Sequence, residues 1–270
     1  MSSEYWKDRQ ALSLERLTAK NTRETEKQMQ KYYTDALSRL FGQFEQTYLK
    51  VFSSIDEDKK PTPADLYKLD KYWQLQAQVS KELEKLGDKQ ARLLSRAFEN
   101  QYIDIYNSYA IKDATGAFSQ LATDKAKQMI NVIWCADGKS WSDRIWTNTS
   151  KLQQELNDSL IHCLITGKKT TELKKKLQED FSVSYSRADS LVRTEMAHIQ
   201  TISAQERYKD AGIEEVEVWA DKDERRCEIC GNLHEKRFPI NGVMPVPAHP
   251  RCRCTIIPVV QPNNQLMVIN

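Results

Sequence analysis

The sequence is poor in glycine and proline, with eight of each among its 270 residues. β-Sandwiches and β-barrels need many turns, and turns favour these two residue types. Their scarcity therefore favours long helices joined by few connections. The chain has 40% hydrophobic residues, six Trp and eleven Tyr, so it has enough apolar material to bury a core, which argues against wholesale disorder.

Long apolar runs are also lacking. No stretch approaches the roughly 18 apolar residues of a membrane span, and the opening MSSEYWKDRQ contains no apolar segment of the kind found in signal peptides. We therefore expect no membrane partner and residence in the cytosol, where thiols stay reduced. The formal net charge of +2 is too small to indicate a nucleic-acid or membrane partner by itself.

Helical periodicity dominates the N-terminal half. Apolar residues recur at spacings of three and four over residues 5–52, although the stretch 6–19 is sparser and predicts an exposed arm. Pro63 is typical of the first position of a second helical region, in which Trp73 shares the apolar side and Gly87 predicts a break. Paired long helices of this kind predict a bundle or antiparallel hairpins.

Further helices are predicted in the middle of the chain. Ser140 resembles the start of a capping box, and Gly167 is a suitable residue to end the helix that follows it. A short helix over 171–179 and a longer one over 185–210 come next, ending before Gly212.

The character of the sequence changes after residue 212. Residues 215–219 alternate as a half-buried strand does, and a second candidate strand covers 255–260. We therefore predict a mainly α protein with a small α+β module at its C-terminal end. The expected domains are an N-terminal helical region at 1–139, a second helical region at 140–212 and a metal-binding module at 213–270.

Four of the six cysteines lie close together in this last module. A Cys-x-x-Cys pair lets two thiolates reach one metal ion, and a second Cys/His group some twenty residues later completes a tetrahedron. Zn²⁺ suits thiolate and imidazole ligands. Reduced buried thiols or disulfides are the alternative. Five side chains compete for the four positions: Cys227, Cys230, His249, Cys252 and Cys254.

A four-ligand zinc site is closed to substrate, so its expected role is structural. It would fold a segment that is too small to build a hydrophobic core of its own.

The order of motifs is more specific than a lone Cys-x-x-Cys. Arg-Thr-Glu at 193–195 lies on a predicted helix, followed by Trp219, by Asp-x-Arg-x-Cys-x-x-Cys at 223–230 and by Pro-x-His-Pro-x-Cys-Arg-Cys at 247–254. Over about residues 146–258 this order resembles the phage head-morphogenesis family, which includes the Mu protein F-like proteins and the SPP1-type minor capsid proteins. One departure is His-Glu at 234–235, where the family often has Asp-Gly.

The resemblance implies a minor head protein of a bacteriophage or prophage that acts in head morphogenesis. The implied partners are the phage portal protein and other head proteins, with double-stranded DNA as a further candidate. The implied location is the interior of the virion head, and the host cytoplasm during assembly. No catalytic activity follows from the resemblance, so we expect that the protein is not an enzyme.

Two residues of the Arg-Thr-Glu motif admit a structural and a catalytic interpretation. Arg193 and Glu195 are two apart on a helix and so point to different faces. We interpret them as structural, with one of them pairing with Asp223 or Arg225, because no nucleotide-binding loop accompanies them. Trp219 is expected to anchor the core between the helix and the metal module.

Three arginines define an alternative function. Arg226, Arg251 and Arg253 would lie near the metal, where they would contact DNA phosphates or pair with nearby acidic residues. In the first case the protein is a zinc-knuckle nucleic-acid binder whose affinity falls with salt. A third hypothesis is an HNH-like nuclease, which needs a histidine general base next to an aspartate or a histidine. The sequence contains no Asp-His pair, so this hypothesis is disfavoured.

Overall fold

The structure is a computed structural model that describes residues 3–53, 62–68, 70–110, 123–220, 224, 226–260 and 267–268. The helices in these ranges are α1 Ser3–Phe52, α2 Pro63–Tyr67, α3 Asp70–Asn107, α4 Thr123–Ile130, α5 Trp141–Ile165, α6 Thr170–Asp210 and α7 Glu228–Leu233. The strands are β1 Tyr109–Ala110, β2 Glu215–Trp219, β3 Arg237–Pro239, β4 Thr255–Pro258 and β5 Met267–Val268. The predicted mainly α fold class, with long helices followed by a small strand-containing module, is confirmed.

The helices within the described ranges include none that is both long enough and apolar enough to cross a membrane.

The first helix does not begin as an exposed arm, so that expectation was wrong. Leu14 is only 1% exposed and belongs to a hydrophobic core that it shares with the C-terminal strands, and Ala11 packs in a small cluster with Trp219 and Ile257. Residues three apart lie on one side of a helix, so a narrow apolar stripe is enough to cover a small surface. That surface comes from residues about 200 positions away, which explains why local periodicity did not reveal it.

Two predicted helix breaks are also absent. α3 continues through Gly87, and α6 runs as one helix across residues 180–184. Gly87 serves packing rather than a turn, because a Cβ atom there would lie 2.6 Å from Cζ3 of Trp146. In α6, Phe181 and Ser184 are buried, which continues the inward-facing side of the helix. Trp73 is 55% exposed and does not share the buried side of α3, contrary to expectation.

Both predicted helix-ending glycines adopt the left-handed conformation that glycine tolerates best. Gly167 has φ of 63° and the N–H of Lys168 donates to the carbonyl of Cys163 at 2.9 Å. Gly212 has φ of 70°, and the next N–H, of Ile213, donates to the carbonyl of Tyr208 at 3.0 Å. These bonds satisfy carbonyls at the helix ends.

The larger sheet has three antiparallel strands in the order β3-β2-β4. β2 spans the residues that the alternating pattern predicted, and β4 begins where predicted but ends at Pro258. In the register of this sheet, Glu217 lies opposite Arg237 on β3 and Ile257 on β4. β1 and β5 form a separate antiparallel pair.

The described residues fall into two compact units. The first unit draws on Met1–Glu26, Leu94–Trp141 and Ser190–Asn270, and the second on Lys27–Leu93 and Ser142–Asp189. The predicted domain boundaries near 139 and 212 stay a prediction. The first unit contains the sheet and all of the candidate metal ligands, so it carries the site described below.

The contact at Gly87 can be tested by adding one methyl group. We expect Gly87→Ala to lower the free energy of unfolding by about 1–3 kcal/mol, because the new methyl group would overlap the indole of Trp146 and displace this large ring. Gly42→Ala is the matched control: this glycine is also helical, and its Cβ would meet nothing within 4 Å. The control should gain about 0.5–1 kcal/mol. Urea unfolding followed by circular dichroism measures both, and stabilisation of both variants would contradict the packing role of Gly87.

Candidate metal centre

The Cys-x-x-Cys pair lies at the start of α7. Cys227 caps this helix, and the N–H of Cys230 donates to Sγ of Cys227 at 3.4 Å. That donated hydrogen bond is the main reason why the pKa of Cys227 lies below its ordinary value. Because the thiolate is the form that binds metal, the turn favours Cys227 as a ligand before any ion arrives.

The second ligand group lies in the turn that precedes β4. The N–H of Cys252 donates to the carbonyl of His249 at 3.2 Å, which closes a tight reversal. Within it, Arg251 has φ of 61°, a conformation that non-glycine residues rarely adopt. The N–H of Arg251 donates to Oγ1 of Thr194 on α6 at 3.1 Å. The middle residue of the Arg-Thr-Glu motif thus holds the turn that contains His249 and Cys252 against α6, a role that sequence reasoning missed.

The candidate ligand atoms converge. Nε2 of His249 lies 3.3 Å from Sγ of Cys227 and 3.1 Å from Sγ of Cys230, and the sulfurs of Cys230 and Cys252 are 3.7 Å apart. Zinc–sulfur bonds of about 2.3 Å in a tetrahedron imply sulfur–sulfur separations of roughly 3.8 Å. The observed spacing is therefore suitable for ligands of one ion.

The five candidates form two overlapping triads. Among the described residues, the ligand atoms of Cys227, Cys230 and His249 all lie within 4.8 Å of one another, and so do those of Cys230, Cys252 and Cys254. Cys230 belongs to both triads. The structure thus brings together all five residues predicted from spacing, and the three buried cysteines could hold a metal ion.

The three buried cysteines of the cluster have different pKa values. Cys230, Cys252 and Cys254 are each at most 5% exposed and belong to the hydrophobic core of the first unit. Burial raises the pKa of Cys230 to about 12, whereas a hydrogen bond with Cys254 lowers the pKa of Cys252 to about 5. The same contact with Cys252 raises the pKa of Cys254. A cation among these sulfurs would favour the thiolate form of each of its ligands.

The two charged residues of the Arg-Thr-Glu motif have separate environments. The guanidinium of Arg193 lies 2.7 Å from a carboxylate oxygen of Glu26 on α1. Glu195 is 4% exposed. Asp223 and Arg225 lie outside the described residues, so the predicted pairing with one of them stays a prediction.

Trp134 holds the buried carboxylate of Glu195. The indole N–H of Trp134 donates to Oε2 of Glu195 at 3.1 Å. The same indole stacks on the ring of His198, with centroids 4.2 Å apart, and burial lowers the pKa of His198 to about 4. Sequence reasoning missed this cluster because Trp134 and Glu195 are 61 residues apart, and no local pattern connects them.

Trp219 lies at the end of β2, where it is 5% exposed. Its ring packs edge-on against the ring of His234, with centroids 4.7 Å apart. Nζ of Lys7 on α1 lies 5.7 Å from the ring centroid of Trp219 and 2.7 Å from the carboxylate of Glu217. Glu217 is only 2% exposed, although strand alternation predicted an exposed side chain. A lysine on α1 therefore neutralises a carboxylate buried in the sheet.

Three arginines surround the cluster. Arg226, Arg251 and Arg253 are exposed, and they line the same cleft as Cys227, Cys230, His249 and Cys254. The structure therefore places these predicted cations beside the candidate metal ligands.

The part of the chain that contains the candidate ligands is similar to a known protein family. Residues 154–257 match the family described as phage Mu protein F like protein. The matched residues make up less than half of the chain. The matched range includes α6, the strands β2 and β3 and all five candidate metal ligands. The resemblance inferred from the order of motifs is thereby confirmed.

One curated relative has a name that states an enzymatic activity. The chain is 29% identical to the NAD(+)--arginine ADP-ribosyltransferase EFV of Enterococcus faecalis (strain ATCC 700802 / V583), over 46% of this chain and 29% of that protein. The chain therefore spans less than a third of the length of this relative. No solved structure matches the chain.

The contact between Glu195 and Trp134 can be tested by a double-mutant cycle. Glu195→Ala removes the acceptor of the indole N–H, and we expect it to lower the free energy of unfolding by about 1–3 kcal/mol. Glu195→Gln keeps an acceptor oxygen and should cost less. Trp134→Phe removes the donor, so the double variant Glu195→Ala/Trp134→Phe should lose less stability than the sum of the two single losses. Strict additivity in urea unfolding would show that the two side chains do not interact.

Proposed function

We propose that this chain is a minor structural protein of a phage head that acts in head morphogenesis by binding the portal protein and other head proteins. The proposal is supported by the match of residues 154–257 to the family described as phage Mu protein F like protein. Its location would be the interior of the virion head, and the host cytoplasm during assembly.

The motif residues support a structural role for this domain. Thr194 binds the turn that contains Arg251, and Glu195 accepts a hydrogen bond from Trp134. Cys230 packs in the hydrophobic core of the first unit. These contacts hold α6, α7 and the strands in fixed positions, as a rigid docking surface requires.

We propose that the ion of the metal centre is Zn²⁺ and that its role is structural. Thiolate and imidazole are the ligands that zinc accepts in closed tetrahedral sites, and zinc has no redox chemistry that would oxidise them. The candidate ligands come from two chain segments, the start of α7 and the turn before β4. One ion would therefore join these segments where the strands alone are only three to five residues long.

Zinc binding is testable by elemental analysis of the purified protein. We expect about one Zn²⁺ per chain and a fall in melting temperature after chelation, because structural zinc sites contribute directly to folding. Cys230→Ser should lose the ion. Cys163→Ser is the matched control, since Cys163 is buried in α5 outside the cluster, and it should keep the ion. Absence of zinc from the wild-type protein would overturn the proposed metal centre.

We also propose that the chain has no enzymatic activity of its own. The carboxylate of Glu195 is buried and hydrogen-bonded, and Nε2 of His249 lies among the cysteine sulfurs. Glu195 is therefore closed to a substrate, and the ring nitrogen of His249 faces the sulfurs of the candidate ligands. The ADP-ribosyltransferase name is that of a relative of which this chain matches 29%, and it is not part of this proposal.

The assembly role predicts a direct complex with the portal protein. When the tagged chain is co-expressed with the portal protein of the same phage genome, we expect the two to co-elute and co-sediment. The major capsid protein alone, expressed in the same way, is the control for non-specific association. Deletion of the gene should yield heads that lack this protein and are impaired in assembly or infectivity. Normal, fully infectious heads without the protein, together with no portal complex, would contradict the proposed role.

DNA binding is a second candidate, favoured by the three arginines that line the cluster cleft. Each phosphate neutralised by an arginine releases counterions, so binding to double-stranded DNA should weaken linearly with the logarithm of salt concentration. The triple variant Arg226→Ala/Arg251→Ala/Arg253→Ala should bind more weakly at every sequence, with the salt slope reduced by about 1 per lost contact.

A charge-matched control separates this site from general electrostatics. Arg16, Arg92 and Arg96 are exposed helical arginines, and their combined replacement by Ala removes the same net charge. Fluorescence anisotropy with a labelled duplex should show weaker binding for the cleft variant than for the control. Equal losses in both variants would remove the cleft arginines as the DNA site.

A further inference from the structure

The metal centre contains one more candidate ligand than a tetrahedral ion can use. Five side chains converge, and both triads contain Cys230. A closed zinc site binds four ligands. One of the five must therefore stay outside the coordination sphere at any moment, and the structure restricts which one that is.

His249 and the Cys-x-x-Cys pair form one well-defined side of the site. Nε2 of His249 lies within 3.3 Å of the sulfurs of both Cys227 and Cys230. These three atoms therefore converge in the cleft that their residues line. They define three of the four positions and leave the fourth to Cys252 or Cys254.

Cys252 and Cys254 both lie close to Cys230, but they differ in two further respects. Sγ of Cys252 lies 3.7 Å from Sγ of Cys230, close to the roughly 3.8 Å edge of a tetrahedral zinc–thiolate site. Cys254 lines the cleft together with Cys227, Cys230 and His249, whereas Cys252 is not among its lining residues. Both are almost fully buried, and both lie in the triad of Cys230.

We propose that Cys252 and Cys254 are alternative fourth ligands of a single ion, with Cys227, Cys230 and His249 as the permanent three. They are two residues apart in the extended segment that leads into β4, so both side chains reach the same side of it. Exchange between them replaces one thiolate by another and moves one proton between the two sulfurs, so no oxidant or reductant is required. This inference rests on the metal centre proposed above.

Titration with Co²⁺ in place of Zn²⁺ tests the inference, because thiolate-to-cobalt charge-transfer absorption grows with the number of thiolate ligands. We expect the wild-type protein, Cys252→Ser and Cys254→Ser each to bind one Co²⁺ per chain with the same charge-transfer intensity, that of three thiolates. Competition with a chelator should show less than about a tenfold loss of affinity in either single variant. Cys230→Ser should lose more than the roughly 100-fold that a supporting residue can account for.

Each single variant removes one cysteine, so its metal binding can be compared directly with that of Cys230→Ser. If Cys252→Ser or Cys254→Ser alone loses the ion as Cys230→Ser does, that cysteine is the unique fourth ligand and the inference is wrong, while the metal centre stands. If both single variants show a weaker charge-transfer band than the wild type, both thiolates bind at once and the inference is again wrong. If the wild-type protein binds neither Co²⁺ nor Zn²⁺, the metal centre itself is overturned together with the inference.

Discussion

The convergence of four other candidate ligand side chains on Cys230 is the feature on which the C-terminal part of the first unit depends. Its three-stranded sheet is short, and the longest strand has five residues. A sheet of that size has little apolar surface of its own. Three buried cysteines supply part of the core that the strands lack, and a bound ion would connect α7 to the turn before β4 by bonds that do not depend on buried area.

The long helices provide the rest of that core. Leu14 of α1, Ile105 of α3 and Tyr208 of α6 pack in the same cluster as the cysteines. Two polar contacts fix the relative positions of these elements. The N–H of Arg251 donates a hydrogen bond to Thr194, and Lys7 forms an ion pair with the buried Glu217. Burial of the Glu217 carboxylate costs free energy unless a cation pairs with it. The ion pair with Lys7 therefore favours the one position of α1 that brings this lysine to Glu217. This arrangement explains how a family motif scattered over about 60 residues becomes one structural unit.

Three motif residues have defined partners in the structure. Arg193, Glu195 and His249 are residue types that many enzymes use. Here Arg193 pairs with Glu26, Glu195 accepts from a tryptophan, and His249 lies among thiols. The ADP-ribosyltransferase of Enterococcus faecalis is similar to part of this chain, over 29% of its own length. By contrast, Arg226, Arg251 and Arg253 are exposed and line the cleft.

The sequence by itself determined the features that depend on local chemistry or on spacing along the chain. These include the helix-ending Gly167 and Gly212, the strand at 215–219 and the group of five candidate ligands, because φ preference, alternation and Cys-x-x-Cys spacing are short-range properties. Only the tertiary structure decided that Gly87 and residues 180–184 continue a helix, and that Glu217 is buried. Those outcomes depend on Trp146, on Tyr33, which hydrogen-bonds to Ser184, and on Lys7, each far away in sequence. Local patterns carry no information about such partners, so they could not be predicted from propensity.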